Sequence, residues 1–497
     1  MLIGWSEIDI TPKKKIKLAG QFYERISEFT ESPICVIAMA VSTEEDHAVF
    51  CACDLESIYP NLLALARQKI AQACSGRTAP GPDPAKVMVS ATHTHTSYEY
   101  KGEDKRDSSL SVLARVLPGS MKYVPKVAAE DVVTSEEALE FLSEKIAEAV
   151  LAAWDSREEA FYANEFGRAA VGMCRRAVYD DGTAKMWGDT DHANFDCLEG
   201  GNDSGIELLY TFDRNKKPTG VVANVACPSQ VLEQRSFISS DYWGKVRQYL
   251  REEFGPAFHV LGLCSAAGDQ CPRDLIRWVE PETPIDDPNV IRIHPLKRRA
   301  DPSMFDIKGC CRVGRRIADE ILAVSREIEE YHTDGIFRHC VLHLRLPLRR
   351  VTISEYEAAK RELDEYIKSC GASGEFTFKD NAAMHVCAGV MARYEHQQNT
   401  DLHDAEVHVI RLGEIAFATN SFELFLDYGN RIRARSKAQQ TFLIQLCCGS
   451  DGYLPTEKAE RGSHYSAYVS SGVTGHTGGD LLVRSTLETI RTLFEEN

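Results

Sequence analysis

The sequence predicts an α/β fold: a layered sandwich of central mixed and antiparallel β-sheets flanked by helices, in one large domain spanning 1–497. Three observations predict it. Apolar runs of strand length recur along the chain, and segments of helical periodicity stand between them. Hydrophobic residues make up 43% of the 497, enough for a substantial core. No repeat, low-complexity tract or linker interrupts the pattern.

Residues 34–42 (ICVIAMAVS) and 47–53 (HAVFCAC) read as strands around the polar turn of 44–46. Residues 60–74 form a helix that Pro60 can start, because its fixed φ and missing N–H suit a first turn. After the loop GRTAPGPDPAK, residues 86–91 make another buried strand. Residues 135–155 have helical periodicity. Two strands follow within 205–227, then a helix at 241–254 and the strand FHVLGLCSAA. Residues 275–305, rich in Pro, Asp and Arg, read as an inserted loop. Arg292, Lys297, Arg298 and Arg299 on it either shape a pocket mouth for a polar substrate or are solvated. A strand at 335–349, a helix at 353–369, the strands AEVHVIRL and IAFATNSF, a helical stretch to about 436 and a last helix after a Gly-rich turn complete the order.

The chain carries 57 basic against 74 acidic residues, a net charge of −17. That excludes the basic footprint of a nucleic-acid binder and disfavours an anionic membrane surface. MLIGWSEIDITPKKK has no basic stretch followed by an apolar core, so no signal peptide is expected. No run approaches the ~18 apolar residues of a membrane span. The 16 cysteines are scattered, several in apolar runs, as reduced buried thiols in a cytoplasmic protein would be. The adjacent pairs Cys310-Cys311 and Cys447-Cys448 do not suit a structural zinc knuckle.

Chemistry-bearing residues cluster at strand ends, where α/β sheets place ligands. VMVSATHTHTSYEY (87–100) climbs a strand and then delivers His93 and His95, which alternation puts on one face. Two such imidazoles either serve a metal or are simply solvated or packed. Cys227 in NVACPSQ ends another strand and is either a thiolate ligand or a small buried hydrophobe. Glu423 in ATNSFELF must be paired, protonated or metal-bound in its apolar setting, unless it sits at a helix N-terminus. Tyr453 and Tyr465 stand twelve residues apart in GYLPTEKAERGSHY.

Together GWSEIDITP, SATHTH, GDQCPRD, NSFELF and GYLPTEKAERGSHY resemble, in order, the landmarks of the neutral/alkaline non-lysosomal ceramidases, zinc amidases that cleave an N-acyl bond. The resemblance implies one zinc ion per chain, held by His93, Glu423 and Tyr453, with Cys227 at the place of the family's second histidine. It implies that His95, Tyr465 and an arginine (Arg175, with Arg176 next to it) surround the attacking water and the scissile carbonyl. Asp269 and Cys271 fall in the family's substrate-side segment, where Cys271 replaces a serine. That replacement, Cys227, and Thr96-Ser97-Tyr98-Glu99 in place of the family's glycine-containing turn point to a small, polar substrate other than ceramide. The family's C-terminal immunoglobulin-like module is not expected. An ester, lactone or cyclic-amide hydrolase on the same scaffold, a metal-binding protein without catalysis, and a cysteine-nucleophile enzyme using Cys227 or Cys271 stay open beside the amidase.

Overall fold

Side-chain alternation along the strands explains how the sheets stack. The computed structural model describes residues 1–21, 23–101, 109–119, 131–277, 306–333, 335–370 and 378–495. The expected insertion at 275–305, with Arg292, Lys297, Arg298 and Arg299, lies from 278 onward outside the described residues. A five-stranded sheet runs in the order Val87–Ala91, His47–Cys53, Cys35–Ser42, Leu2–Asp9, Glu158–Glu159. All its pairs are antiparallel except that of Val87–Ala91 with His47–Cys53. A four-stranded sheet orders His259–Cys264, Pro218–Val225, Gly205–Phe212 and Phe161–Arg168. Another orders Phe337–Pro347, Leu402–Leu412, Ile415–Thr419 and Gln440–Ile444. Each of these also has one parallel pair.

In the first four-stranded sheet, Leu208, Val221 and Val260 pack toward the helices Asp241–Phe254 and Ile307–Ser325, while their neighbours Leu209, Val222 and Leu261 join the central core. In the second, Val409, Ala416 and Leu443 pack toward Leu426–Arg435 and His476–Glu495, while Ile410, Phe417 and Phe442 turn to the centre. There Phe417 meets Phe50 of the five-stranded sheet, ring centroids 4.9 Å apart. The far side of that sheet is covered by the helices Pro60–Cys74 and Ser135–Asp155, the second closed by a Thr134/Glu137 capping box. The result is four layers, helix–sheet–sheet–helix, and the expected mixed α/β sandwich.

Leu2–Asp9, Phe161–Arg168, Ile307–Ser325 and Phe378–His396 were not anticipated as elements. Ile307–Ser325 shows why. Gly314 lets it cross Asp241–Phe254 closely, since a Cβ there would lie 2.6 Å from that of Lys245. The same glycine weakens the helix signal. Each of the 16 cysteines is a free thiol. Among the described residues no helix is long and apolar enough to cross a membrane.

Candidate active site

The strand Val87–Ala91 stops before the histidines. Thr92 N and Thr94 N donate to the carbonyls of Cys53 and Leu55, and between them His93 adopts φ 65°. A left-handed conformation at a non-glycine residue is strained and persists where surrounding contacts impose it. Strand alternation therefore is not what unites the imidazoles; the turn is. Their Nε2 atoms lie 3.2 Å apart and their rings meet edge-on, centroids 4.7 Å apart. His93 Nδ1 faces the Glu56 carbonyl at 2.8 Å. A carbonyl only accepts, so Nδ1 carries the proton and donates, and His93 Nε2 points at Glu423 Oε2, 3.4 Å away. His95 is approached closely by Gly20 (φ 88°), where any Cβ would fall 2.4 Å from the imidazole.

Glu423 and Tyr453 come together through backbone pairing. Glu423–Leu424 runs parallel to Tyr453–Leu454 with Glu423 opposite Tyr453. The Tyr453 hydroxyl accepts from Arg175 Nη2 at 3.2 Å, and the same nitrogen lies 4.0 Å from Glu423 Oε2. Tyr453 and Tyr465 stack edge-on with centroids 5.5 Å apart and share a hydrogen bond. The two adjacent arginines divide the work. Arg175 faces the site; Arg176 turns away, pairs with Glu199 at 2.6 Å, and donates to the Tyr465 and Ser463 carbonyls, which pins the tyrosine loop.

Burial raises the Glu423 carboxyl, but His93 and Arg175 outweigh it and hold it below its ordinary value. Burial opposes a charge on His93, and Glu423 overrides it upward. His95 is driven well below its usual range by burial and by His93, so it stays neutral. Burial, then Glu423, push the Tyr453 phenol well up. Glu233, which was not among the expected site residues, stands with its Oε2 3.3 Å from His95 Nδ1. Its carboxyl is raised to about 7 by burial. Only two apolar residues, Val231 and Leu232, precede it in SQVLEQ, so no local pattern singles it out.

The remaining expected residues are placed differently. Cys227, the expected fourth zinc ligand, is fully buried in the apolar layer under Asp241–Phe254, its Sγ 3.5 Å from the Val171 carbonyl and 3.6 Å from that of Pro228. Burial pushes its thiol well up, and the structure does not gather it with His93 and Glu423. The reason is local: Pro228 follows it at once, and the thiol turns into the core. Cys271 is also fully buried, bonded to the Arg273 carbonyl at 3.3 Å and raised to about 12 by burial. Asp269, raised by burial to about 6, accepts from Leu426 N at 2.9 Å and fixes the helix that begins after Glu423.

A divalent cation suits three of the expected donors. With Nδ1–H held by the Glu56 carbonyl, His93 would present Nε2 to an ion once the proton it shares toward Glu423 is released, and a ligating imidazole is oriented in this way. Glu423 and Tyr453 add two oxygens on paired strands, and three protein ligands with an open position are the pattern of catalytic zinc sites. Cys227 does not fit as the fourth. Among the described residues, the group of His, Cys, Asp or Glu side chains with ligand atoms all within 4.8 Å of one another is a different one: Glu406, His408 and Cys448.

No protein-family model matches the chain, and no curated protein matches it by sequence. Among solved structures, the neutral ceramidase of Pseudomonas aeruginosa superposes with a TM-score of 0.67 at 14% identity, over 99% of this chain and 74% of that one. A ceramidase complexed with C2 superposes with 0.66 at 13%, over 99% and 75%. At these identities the likeness is one of architecture: the mixed α/β layers are those of the neutral ceramidase fold.

Proposed function

We propose that the protein is a zinc-dependent amidohydrolase, one ion per chain, that cleaves the N-acyl bond of a small, polar substrate in the cytoplasm. The observation that carries this reading is the convergence of His93 Nε2 on Glu423, with Glu423 in register with Tyr453 and Arg175 bridging the two. The ceramidases that share the fold supply the amide class. Zinc held by His93, Glu423 and Tyr453 would polarise the scissile carbonyl and make hydroxide available near pH ~7.

The chain's own residues do the rest. Glu56 fixes the His93 ring through its carbonyl. Arg175 and Tyr465 flank the position where negative charge develops on the carbonyl oxygen, and preorganised donors there stabilise the transition state. His95 receives the proton of the attacking water and returns it to the leaving amine. Glu233 stands 3.3 Å from the other ring nitrogen of His95, where a carboxylate would favour the protonated ring. Asp269 holds the segment after Glu423 in place. Cys271 lies on the substrate side by resemblance.

The test is elemental analysis with anomalous scattering at the zinc edge, followed by a panel of N-acyl amides, esters and lactones with and without a chelator. Zinc at His93 and chelator-sensitive amide cleavage are expected. Full activity in metal-free protein, or turnover of esters alone, would replace the reading with another hydrolase class.

A further inference from the structure

The grouping of Glu406, His408 and Cys448 lies beside the beginning of the strand Val87–Ala91, the end opposite His93: Cys448 N donates to the Val89 carbonyl. Its residue types invite a metal, but its protons exclude one. His339 Nδ1 lies 3.1 Å from the His47 carbonyl, which only accepts, so that nitrogen carries the hydrogen. His339 Nε2 is then the acceptor for His408 Nδ1, 2.8 Å away. His408 Nε2 meets Glu406 Oε1 at 2.8 Å. Arg67 grips that carboxylate with both ends of its guanidinium, at 2.6 and 2.9 Å, as it would an ionised one. Both nitrogens of the fully buried His408 therefore donate, and the ring is an imidazolium with no lone pair left for a cation.

Two positive groups, Arg67 and His408, thus surround one carboxylate and one thiol. Arg67 Nη2 lies 3.7 Å from Cys448 Sγ, and His408 bonds it as well. The nearby Val87 carbonyl, 3.9 Å from the sulfur, already accepts from Arg67 at 2.9 Å. Cys447, fully buried, directs its S–H at the same sulfur from 3.8 Å. Arg67, Cys447 and His408 donate to Cys448, the acceptor facing it is the Val87 carbonyl at 3.9 Å, and with two cations beside a single carboxylate the charges balance when the thiol is ionised. In keeping with this, His408 is raised to about 9 and Cys448 lowered to about 5, both against a burial that opposes their charges.

We propose that Cys448 is an activated thiolate, held by Arg67 and His408, at which a small hydroperoxide oxidises this protein, with Cys447 as the resolving thiol. The thiolate sulfur attacks the peroxide: an S–O bond forms, the O–O bond breaks and hydroxide leaves, so the sulfur is oxidised to sulfenic acid and the peroxide is reduced. The Cys447 sulfur then attacks, an S–S bond forms, the S–O bond breaks and water leaves with the Cys447 proton. Cys448 is 7% exposed, which restricts the oxidant to a small molecule. The charged and titratable groups facing it are Arg67 from Pro60–Cys74, Glu406 and His408 from Leu402–Leu412, Cys447 from its own segment, and His339 behind His408. No step depends on the hydrolase reading.

The test uses the full chain with limiting hydrogen peroxide at about pH 6, where fewer than about 1 in 100 ordinary thiols is ionised. A sulfenic-acid trap and peptide mass spectrometry locate the product. Cys448 should react at least about tenfold faster than the exposed Cys197 and end as a 447–448 disulfide. In Cys447→Ser the trapped sulfenate should persist, and in His408→Gln the rate at Cys448 should fall at least about tenfold. Prior reaction at Cys197, an unreacted Cys448, or zinc whose stoichiometry drops in Cys448→Ser would each overturn the proposal. A wild-type sulfenate that never yields the disulfide would remove Cys447 from it.

Discussion

Two buried clusters stand at opposite ends of the strand Val87–Ala91, built from nearly the same side chains. One has His93, His95, Glu423 and Tyr453; the other has His339, His408, Glu406 and Cys448. By residue type either could hold a metal, and by tightness the latter is the better suited. Hydrogen-bond accounting reverses that order. His93 spends one nitrogen on a carbonyl and turns the other to Glu423 across 3.4 Å, a looser contact than the 2.8 Å between His408 and Glu406 and one that an ion between them would replace. His408 spends both as donors, and Arg67 occupies the carboxylate. What separates a metal cradle from a closed ion-pair network is how tightly the carboxylate is already held: Arg67 grips both oxygens of Glu406 at 2.6 and 2.9 Å, while Arg175 stands 4.0 Å from Glu423.

The largest expected effect that could break this comparison is on metal content. His93→Ala and Glu423→Gln should each weaken zinc binding by more than about 100-fold, the reach of changes even to the residues that merely support a ligand. His408→Gln and Cys448→Ser should leave the zinc stoichiometry unchanged. Zinc loss in the latter two variants would make the tighter cluster the metal site.

Next in size is Arg67→Met. It removes the cation that faces both Glu406 and Cys448, whose pairing is mostly buried. Unfolding in urea should show a loss of about 2–3 kcal/mol, below the figure for a fully buried pair because Arg67 is partly exposed. A neutral outcome would show that the network is not held by that guanidinium.

The third effect is a pH slope. His408, raised from 6.5 to about 9, contributes stability that is full below pH 6.5 and lost as pH rises through 9. Cys448, lowered from 9.0 to about 5, contributes stability that is full above pH 9 and lost as pH falls through 5. Between 6.5 and 9 the pair holds one proton folded and one unfolded, so wild-type stability should not vary through it. In Cys448→Ser the thiolate, the largest influence raising His408, is gone and Glu406 alone holds the proton, so the folded state keeps it over the lower part of the window while the unfolded state does not. Its stability should fall as pH rises over that window, by up to about 1.4 kcal/mol per pH unit. Urea melts at the two ends of the window check it, and a level profile in the variant would mean that Glu406 alone does not keep His408 charged.

The smallest effect sharpens the first cluster. Cys227→Ala should keep full metal content and lose about 1 kcal/mol, the cost of a small cavity in the apolar layer. Lost zinc would show that the thiol turns toward His93 when the ion is bound.

Much of the fold was legible because strand and helix periods are written locally. The strands around 34–53, the helices at 60–74, 135–155 and 241–254, and the strand that leads to His93 all stand where the pattern puts them. Ile307–Ser325 was hidden by Gly314, a residue chosen for a close crossing that no local pattern announces. In the site, the resemblance singled out His93, Glu423 and Tyr453. Glu233 was missed because its meaning lies in its distance from His95. Cys227 was overvalued because alignment fixes a position along the chain and not the direction of a side chain.

By itself, the sequence determined the α/β class, the order of most elements, and the set of residue types that can hold a metal and move a proton, since these follow from period, composition and donor chemistry. Only the tertiary structure decided which of them meet. The left-handed turn at His93 brings the imidazoles together, the parallel register sets Glu423 opposite Tyr453, and Arg67 reaches from a helix to close the second cluster. Each is a contact between segments far apart in the chain, and its energetics depend on burial and on the partner's protons, which no local stretch of residues specifies.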